Sequence, residues 1–398
     1  MHLLVFLLLH SSNLSASTQD DPQELIDNGG YMVQGAIGDL QFRAQEPFIP
    51  ASTLKILTAL LALESLGEDF RFETHFFLDE DSNLYIKGYG DPFLTSEAVL
   101  QIGYELTNLG VGRIHSLFLD DTSYLLEGQV ADHPSSNPYD APNGALAVNF
   151  NALPLFKAKD GTISSGEPQT PLLPMMKRYG KELSPGSYRL NVSPDPGPRR
   201  LNASLQYTGE LFVNVFGKAG IIVERGFRGR KVPSGLSPLY IHFGTLTLTE
   251  IVRACLKYSN NFIANQLFLA VGVSHLGLPA TWEKSRRAMA HFTQKFLSPD
   301  LHQLQVVEGS GLSRDNRVSA ATLVKILSRF RKYSDLLPAE HKILLKTGTL
   351  EDVFCYAGYF PDNDTLVPFA ILLNQKRNTR DNLVTLLHRM WQREEQIK

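Results

Sequence analysis

The sequence predicts an α/β protein in which the two ends of the chain build one unit and the middle forms a β-rich inserted region. Three observations lead there. A helix pattern that is apolar on nearly every side follows Pro50, helix and strand patterns return after about Tyr240, and the stretch between consists of short β-like runs broken by turns. With 398 residues and 43% hydrophobic side chains the chain has room for two or three domains with sizeable cores, which excludes a disordered chain or a small disulfide scaffold. The 38 basic and 41 acidic side chains nearly cancel, and no long basic block marks a nucleic-acid partner.

Taken in order, the chain opens with a run of seven apolar residues, Leu3 to Leu9, followed by small residues around Ala16 and then by Gln19, Asp20 and Asp21. Seven residues are far short of the roughly 20 that a membrane span needs. The pattern predicts a secretory signal peptide over residues 1–18 and no integral membrane span in the mature chain, although no Lys or Arg precedes the apolar run. YMVQGAIG and DLQFRAQ, from Tyr31 on, read as two short strands. STLKILTALLALESLG after Pro50 reads as a buried helix stopped by Gly67. From Phe70 to about Tyr240 the runs FRFETHFFL, NLYIKGYG, IHSLFLDD and GELFVNVFG read as β-like, Asp79 to Asp81 as a solvated turn, and Ser184 to Arg199 as an exposed loop. Helices return in LTLTEIVRACLKYSNNFIANQLFLAVG, in WEKSRRAMAHFTQKFL and after SRDNRVS; two more strand segments, KILLKTGT with CYAGYFPDN and then DTLVPFAILLNQ, precede a closing helix from Thr379 to Gln396. The expected division is 19–69 with 240–398 as one unit and 70–239 as the insertion.

Cys255 and Cys355 lie 100 positions apart and leave either one disulfide or two buried free thiols, of which the thiols are expected. No two of the eleven histidines are closer than eight positions, so HxxxH and HExxH metal pairs are absent. No metal or other cofactor is expected.

Three short patterns can carry chemistry. Ser52 and Lys55 stand three apart at the start of the buried helix, where side chains at that spacing share a face. A serine hydroxyl needs a base beside it, a desolvated lysine can be that base, and a helix N-terminus offers N–H groups to an oxyanion. Taken alone, S-x-x-K is expected about once by chance in such a chain. Ser259-Asn260-Asn261 is a polar triplet inside an apolar helical stretch; a loop between two helices there would present Ser259 and Asn261 to a cleft, while plain capping is the simpler role. S-x-N occurs also at Ser11 and Ser135. Lys346-Thr347-Gly348-Thr349 follows an apolar strand: a fixed cation able to hold a carboxylate, a hydroxyl, and a glycine where a substrate backbone must come close.

The order S-x-x-K, S-x-N, K-T-G is that of serine β-lactamases and penicillin-binding proteins. Over most of its length the chain resembles the penicillin-binding serine peptidases of the D-alanyl-D-alanine carboxypeptidase/endopeptidase type (serine peptidase family S13, often called penicillin-binding protein 4). The resemblance lies in PASTLKILTALLALESLG, LYIKGYGDPFLTSE, YDAPNGALAVNFNAL, YSNNFIANQL, GSGLSRDNRVSA and LLKTGTLEDVFCYAGYF. The 207 positions from Ser52 to Ser259, against 87 from Ser259 to Lys346, match the family's habit of inserting domains between its first two motifs. A Y-x-N register at Tyr258, as in class C β-lactamases, is disfavoured by that insertion, and no E-x-x-L-N segment of class A enzymes is present.

The resemblance implies a β-lactamase/transpeptidase-like catalytic domain, an antiparallel sheet with helices on both faces, carrying the inserted region. It makes Ser52 the acylated nucleophile, Lys55 its general base, Ser259 a proton relay and Asn261 a binder of the substrate amide. Lys346 and Thr347, beside Gly348, would hold the terminal carboxylate, and the N–H groups of Ser52 and Thr349 would form the oxyanion hole. Arg314 would receive a carboxylate of the stem peptide, and Asp132 or Asp140 its amine. Glu308 stands where the family usually has Asp. The implied protein is a periplasmic serine DD-peptidase acting on peptidoglycan stem peptides and cross-links and acylated by β-lactams; the competing readings are a β-lactamase or esterase on the same scaffold and a non-catalytic peptidoglycan-binding protein.

Overall fold

The structure, a computed structural model, describes residues 21–35, 38–127, 137–192, 201–297, 304–340, 342–362 and 365–396. The leader-like segment 1–18 and Asp132 lie outside the described residues.

The ends of the chain meet in a six-stranded antiparallel sheet whose spatial order is Ala339–Glu340, Ile343–Leu350, Val353–Asp362, Thr365–Leu373, Gly29–Val33 and Leu40–Phe42. Tyr31 pairs with Ile371, so the first described strand closes onto the last. One face of this sheet is covered by the helices Lys55–Leu66, Leu248–Tyr258, Asn261–Leu276, Trp282–Phe296 and Ala320–Phe330, which share one continuous core. The other face packs under Arg380–Gln396 through Leu383, Leu387 and Trp391. The Lys55 helix is buried continuously from Lys55 to Leu63 and ends at Gly67, as its all-round apolar pattern predicts. Cys255 and Cys355 are buried and unpaired.

A five-stranded sheet of the middle region runs in the order Phe227–Gly229, Leu117–Asp120, Leu84–Gly88, Glu73–Leu78 and Tyr240–Phe243, with its own core from Phe76 to Ile221. Here four expectations are corrected. GELFVNVFG lies within the helix Ala203–Lys218, not in a strand: a short apolar run that is buried nearly all round carries no period to tell the two apart. Helices Ser96–Asn108 and Pro174–Gly180 add to it, so the region is mixed α/β. The expected loop after Ser184 contains the strand Gly186–Asn191, paired with Ala152–Lys157. Tyr240–Phe243 pairs with Glu73–Phe76, so this sheet runs four residues past the expected boundary. Among the described residues no helix is long and apolar enough to cross a membrane.

Candidate active site

Ser52 sits in a single 3-10 turn, Ala51–Leu54, that runs directly into the Lys55 helix. Entry into this turn forces Ala51 to a φ of +46°, a costly conformation for a residue with a Cβ that persists only where its surroundings hold it. They do so on two sides. A Cβ on Gly311 would lie 1.9 Å from the Ala51 carbonyl oxygen, and one on Gly348 would lie 2.7 Å from that of Pro50. The missing side chain of Gly348 therefore makes room for the protein's own Ser52 turn.

The Lys55 side chain is fully buried. Its ammonium donates to Ser52 Oγ at 2.8 Å, to Asn261 Oδ1 at 2.7 Å and to the Ser310 carbonyl at 2.7 Å. Burial pushes its pKa down to about 8, against the opposing pull of Cys255 and the Glu308 carboxylate. Because burial also pushes the Cys255 thiol up to about 11, the thiol is neutral near pH 7 and Glu308 is the counter-charge that matters.

The polar triplet proves to be a helix junction. Ser259 ends one helix in the left-handed region, φ 53° and ψ 34°. Asn260 caps the next through its Oδ1 and the Ile263 N–H, and Asn261 opens that helix. The amide of Asn261 accepts from Lys55 at one end and donates to the Tyr139 carbonyl at the other. Capping and site geometry are thus both present in three residues.

Lys346, Thr347, Gly348 and Thr349 lie on the strand Ile343–Leu350. Lys346 is buried, donates to the Thr347 carbonyl at 2.8 Å, and is pushed down to about 7 by burial and by the neighbouring Lys55. A cavity of about 320 Å³ opens over these elements. Ser52, Ser259, Asn261, Thr347 and Thr349 line it, with Gly311, Leu312 and Leu350 along one side and Asn137, Tyr139 and Asp140 from the middle region along the other. Lys346 lies outside this lining. Arg314 does too, its guanidinium donating to the Glu351 carbonyl beside the Leu350 edge.

Sequence reasoning did not find the part played by Glu308. This fully buried carboxylate accepts from the N–H groups of Ser310, Gly311 and Ser313, from the Ser310 hydroxyl and from Asn316. It shapes the loop that hands the Ser310 carbonyl to Lys55. Its only signal in the sequence is an acid beside two glycines. Tyr139, whose carbonyl holds Asn261, opens the segment YDAPNGALAVNFNAL, but nothing in its residue type signals a backbone role. Among the described residues no three His, Cys, Asp or Glu side chains stand together as a metal site would require.

A lysine-bearing helix start, a helix junction and a K-T-G strand converging on one cavity, over an antiparallel sheet with helices on both faces, define the β-lactamase/transpeptidase class of fold. The structure of penicillin binding protein 4 (DacB) from Haemophilus influenzae superposes with a TM-score of 0.75 at 20% identity, covering 95% of this chain and 99% of that one. The penicillin G-acylated Bd3459 predatory endopeptidase of Bdellovibrio bacteriovorus, in complex with its immunity protein, superposes at 0.52 and 15% identity, covering 93% and 91%. In sequence the chain is 25% identical over 433 residues to the D-alanyl-D-alanine carboxypeptidase of Actinomadura sp. (strain R39), covering 91% of this chain and 80% of that protein. It is 24% identical over 372 residues to the D-alanyl-D-alanine carboxypeptidase DacB of H. influenzae, covering 78% and 77%. Residues 10–179 and 186–338 match the D-Ala-D-Ala carboxypeptidase 3 (S13) family, and the chain belongs to it: it is a serine-type carboxypeptidase of the penicillin-binding kind.

Proposed function

We propose that this chain is a periplasmic DD-peptidase that cleaves D-Ala-D-Ala termini and D-amino-acid cross-links of peptidoglycan through an acyl-enzyme on Ser52, and that penicillin acylates the same serine. The observation that carries the proposal is the 2.8 Å contact of the desolvated Lys55 ammonium with Ser52 Oγ. In its neutral form Lys55 takes the Ser52 proton as Oγ bonds to the carbonyl carbon of the penultimate residue. The oxyanion meets the N–H groups of Ser52 and Thr349. The C–N bond then breaks, and the departing amine takes its proton from Lys55 through Ser259. Water hydrolyses the ester and returns the serine.

Asn261 retains one amide hydrogen after its bond to Tyr139, which serves the substrate amide. Lys346, Thr347 and Thr349 receive the terminal carboxylate. Asp140, on the wall contributed by the middle region, meets the amine of the stem peptide, and Arg314 stands at the rim for a carboxylate. Residues 70–243 act as an inserted domain that walls one side of the cavity; their own core and sheet support this division. The apolar start of the chain and a wall substrate outside the cytoplasmic membrane support the periplasmic assignment.

Release of D-alanine from a D-Ala-D-Ala peptide tests the proposal. Ser52→Ala and Lys55→Ala should each lower kcat by about a thousandfold or more while leaving the fold intact, with Lys346→Ala acting mainly on KM. Turnover of a chromogenic β-lactam faster than of the peptide would instead make the chain a β-lactamase.

A further inference from the structure

We propose that Arg380 is a positioning residue for recognition of the substrate's terminal carboxylate, acting through Thr349, and that it makes the enzyme prefer a free C-terminal acid over a capped end. The inference deepens the DD-peptidase reading and rests on it. Arg380 opens the closing helix Arg380–Gln396, far along the chain from every motif, yet its Nη1 reaches the K-T-G strand. It donates to the Gly348 carbonyl at 3.1 Å and to Thr349 Oγ1 at 2.7 Å.

The guanidinium is held for this purpose. It lies over the ring of Tyr356, 4.6 Å from the centroid, with its side chain only 16% exposed. Tyr356 is fixed in turn by a 2.6 Å bond to Asp381. Nε of Arg380 is buried and has no hydrogen-bond partner among the described residues, and the Asp381 carboxylate is 3.9 Å from it. A guanidinium keeps its charge at every pH a protein meets.

The chemistry follows from the hydrogen count on Thr349. A threonine hydroxyl has one hydrogen, and Oγ1 is already accepting from Arg380. That hydrogen is therefore free to point elsewhere, and Thr349 lines the cavity with Ser52 and Thr347. Arg380 thus leaves the Thr349 hydroxyl a polarised donor for an acceptor in the cavity, and its bond to a charged carboxylate oxygen is stronger than one to the neutral carbonyl of a capped end. Lys346 cannot supply this alone: it lies beneath the cavity, bonded to its own strand, and Arg380 is among the charges that hold its pKa down.

The test uses the full chain and two peptides ending in D-Ala-D-Ala, one a free acid and one a C-terminal amide. The unaltered enzyme should prefer the acid. In Arg380→Gln, KM for the acid should rise about tenfold with kcat nearly unchanged and the amide unaffected, and Arg380→Lys should recover part of the loss. Thr349→Val should cost the same on the acid, and the double variant no more than either alone. Equal losses on both peptides, or additive losses in the double variant, would overturn the inference; so would an unchanged preference. If Arg380→Gln fails to fold, Arg380→Lys and Thr349→Val still decide it through the acid-to-amide ratio. If the unaltered enzyme cleaves neither peptide, the DD-peptidase reading fails and this inference with it, whereas cleavage without a change of preference removes the inference alone.

Discussion

At Lys55 two demands meet. The ammonium donates three hydrogen bonds that fix its position, yet a base must be neutral. A pKa of about 8 reconciles them: roughly a tenth of the molecules carry a neutral amine at pH 7, against far less than a hundredth at the ordinary lysine value. Acylation should therefore accelerate as pH rises from the acid side. Lys346, pushed down to about 7, must stay charged to receive a carboxylate and so opposes this on the alkaline side. The second-order rate of acylation by penicillin should trace a bell centred between the two values, its limbs belonging to the coupled pair; a flat profile from about pH 6 to 9 contradicts this account. Glu308→Gln removes the carboxylate that holds the Lys55 pKa up, so the acid limb should move to lower pH. A slower enzyme with an unmoved limb would mean that Glu308 only shapes the loop.

The Ser52 turn is held from outside by the strand Ile343–Leu350 and the Gly311 loop. Gly348→Ala would place a Cβ 2.7 Å from the Pro50 carbonyl and 3.2 Å from the Ala51 Cβ, and overpacking of this kind costs about 1–3 kcal/mol. Because the displaced atoms stand within two residues of Ser52, acylation should slow as well as the urea midpoint fall. A fall in stability with an unchanged acylation rate would separate the turn from the chemistry. Elements of this unit were legible in the sequence wherever a single physical signal governed them. The apolar circumference marked the Lys55 helix, Gly67 its end, and short apolar runs near both chain ends the strands of the shared sheet. The helix Ala203–Lys218 was not legible, because the apolar run GELFVNVFG is too short to tell a helix from a strand by its period. Neither Arg380 nor Glu308 could be placed: each acts through contacts more than 30 residues away or through backbone groups that no motif encodes.

Across the whole molecule, the middle region reaches the cavity through Asn137, Tyr139 and Asp140 and is tied to the catalytic helices by Asn143, which donates to the Phe262 carbonyl and to Gln266. Gln266 in turn donates to the carbonyls of Gly90 and Gly144. This clamp makes excision of the region a poor test, since it would strip polar partners from a buried helix. Asp140→Asn is milder. It should raise KM for peptides whose stem carries a side-chain amine while leaving acylation by penicillin, which has no such side chain, within about twofold. Equal effects on both would place Asp140 outside substrate choice. The central claim, that Ser52 is the residue acylated, is tested most directly by intact-mass measurement and peptide mapping after incubation with penicillin. A single adduct of one penicillin mass on the peptide carrying Ser52, lost in Lys55→Ala, is the predicted result; an adduct on Ser259 or Ser310, or none, would contradict it.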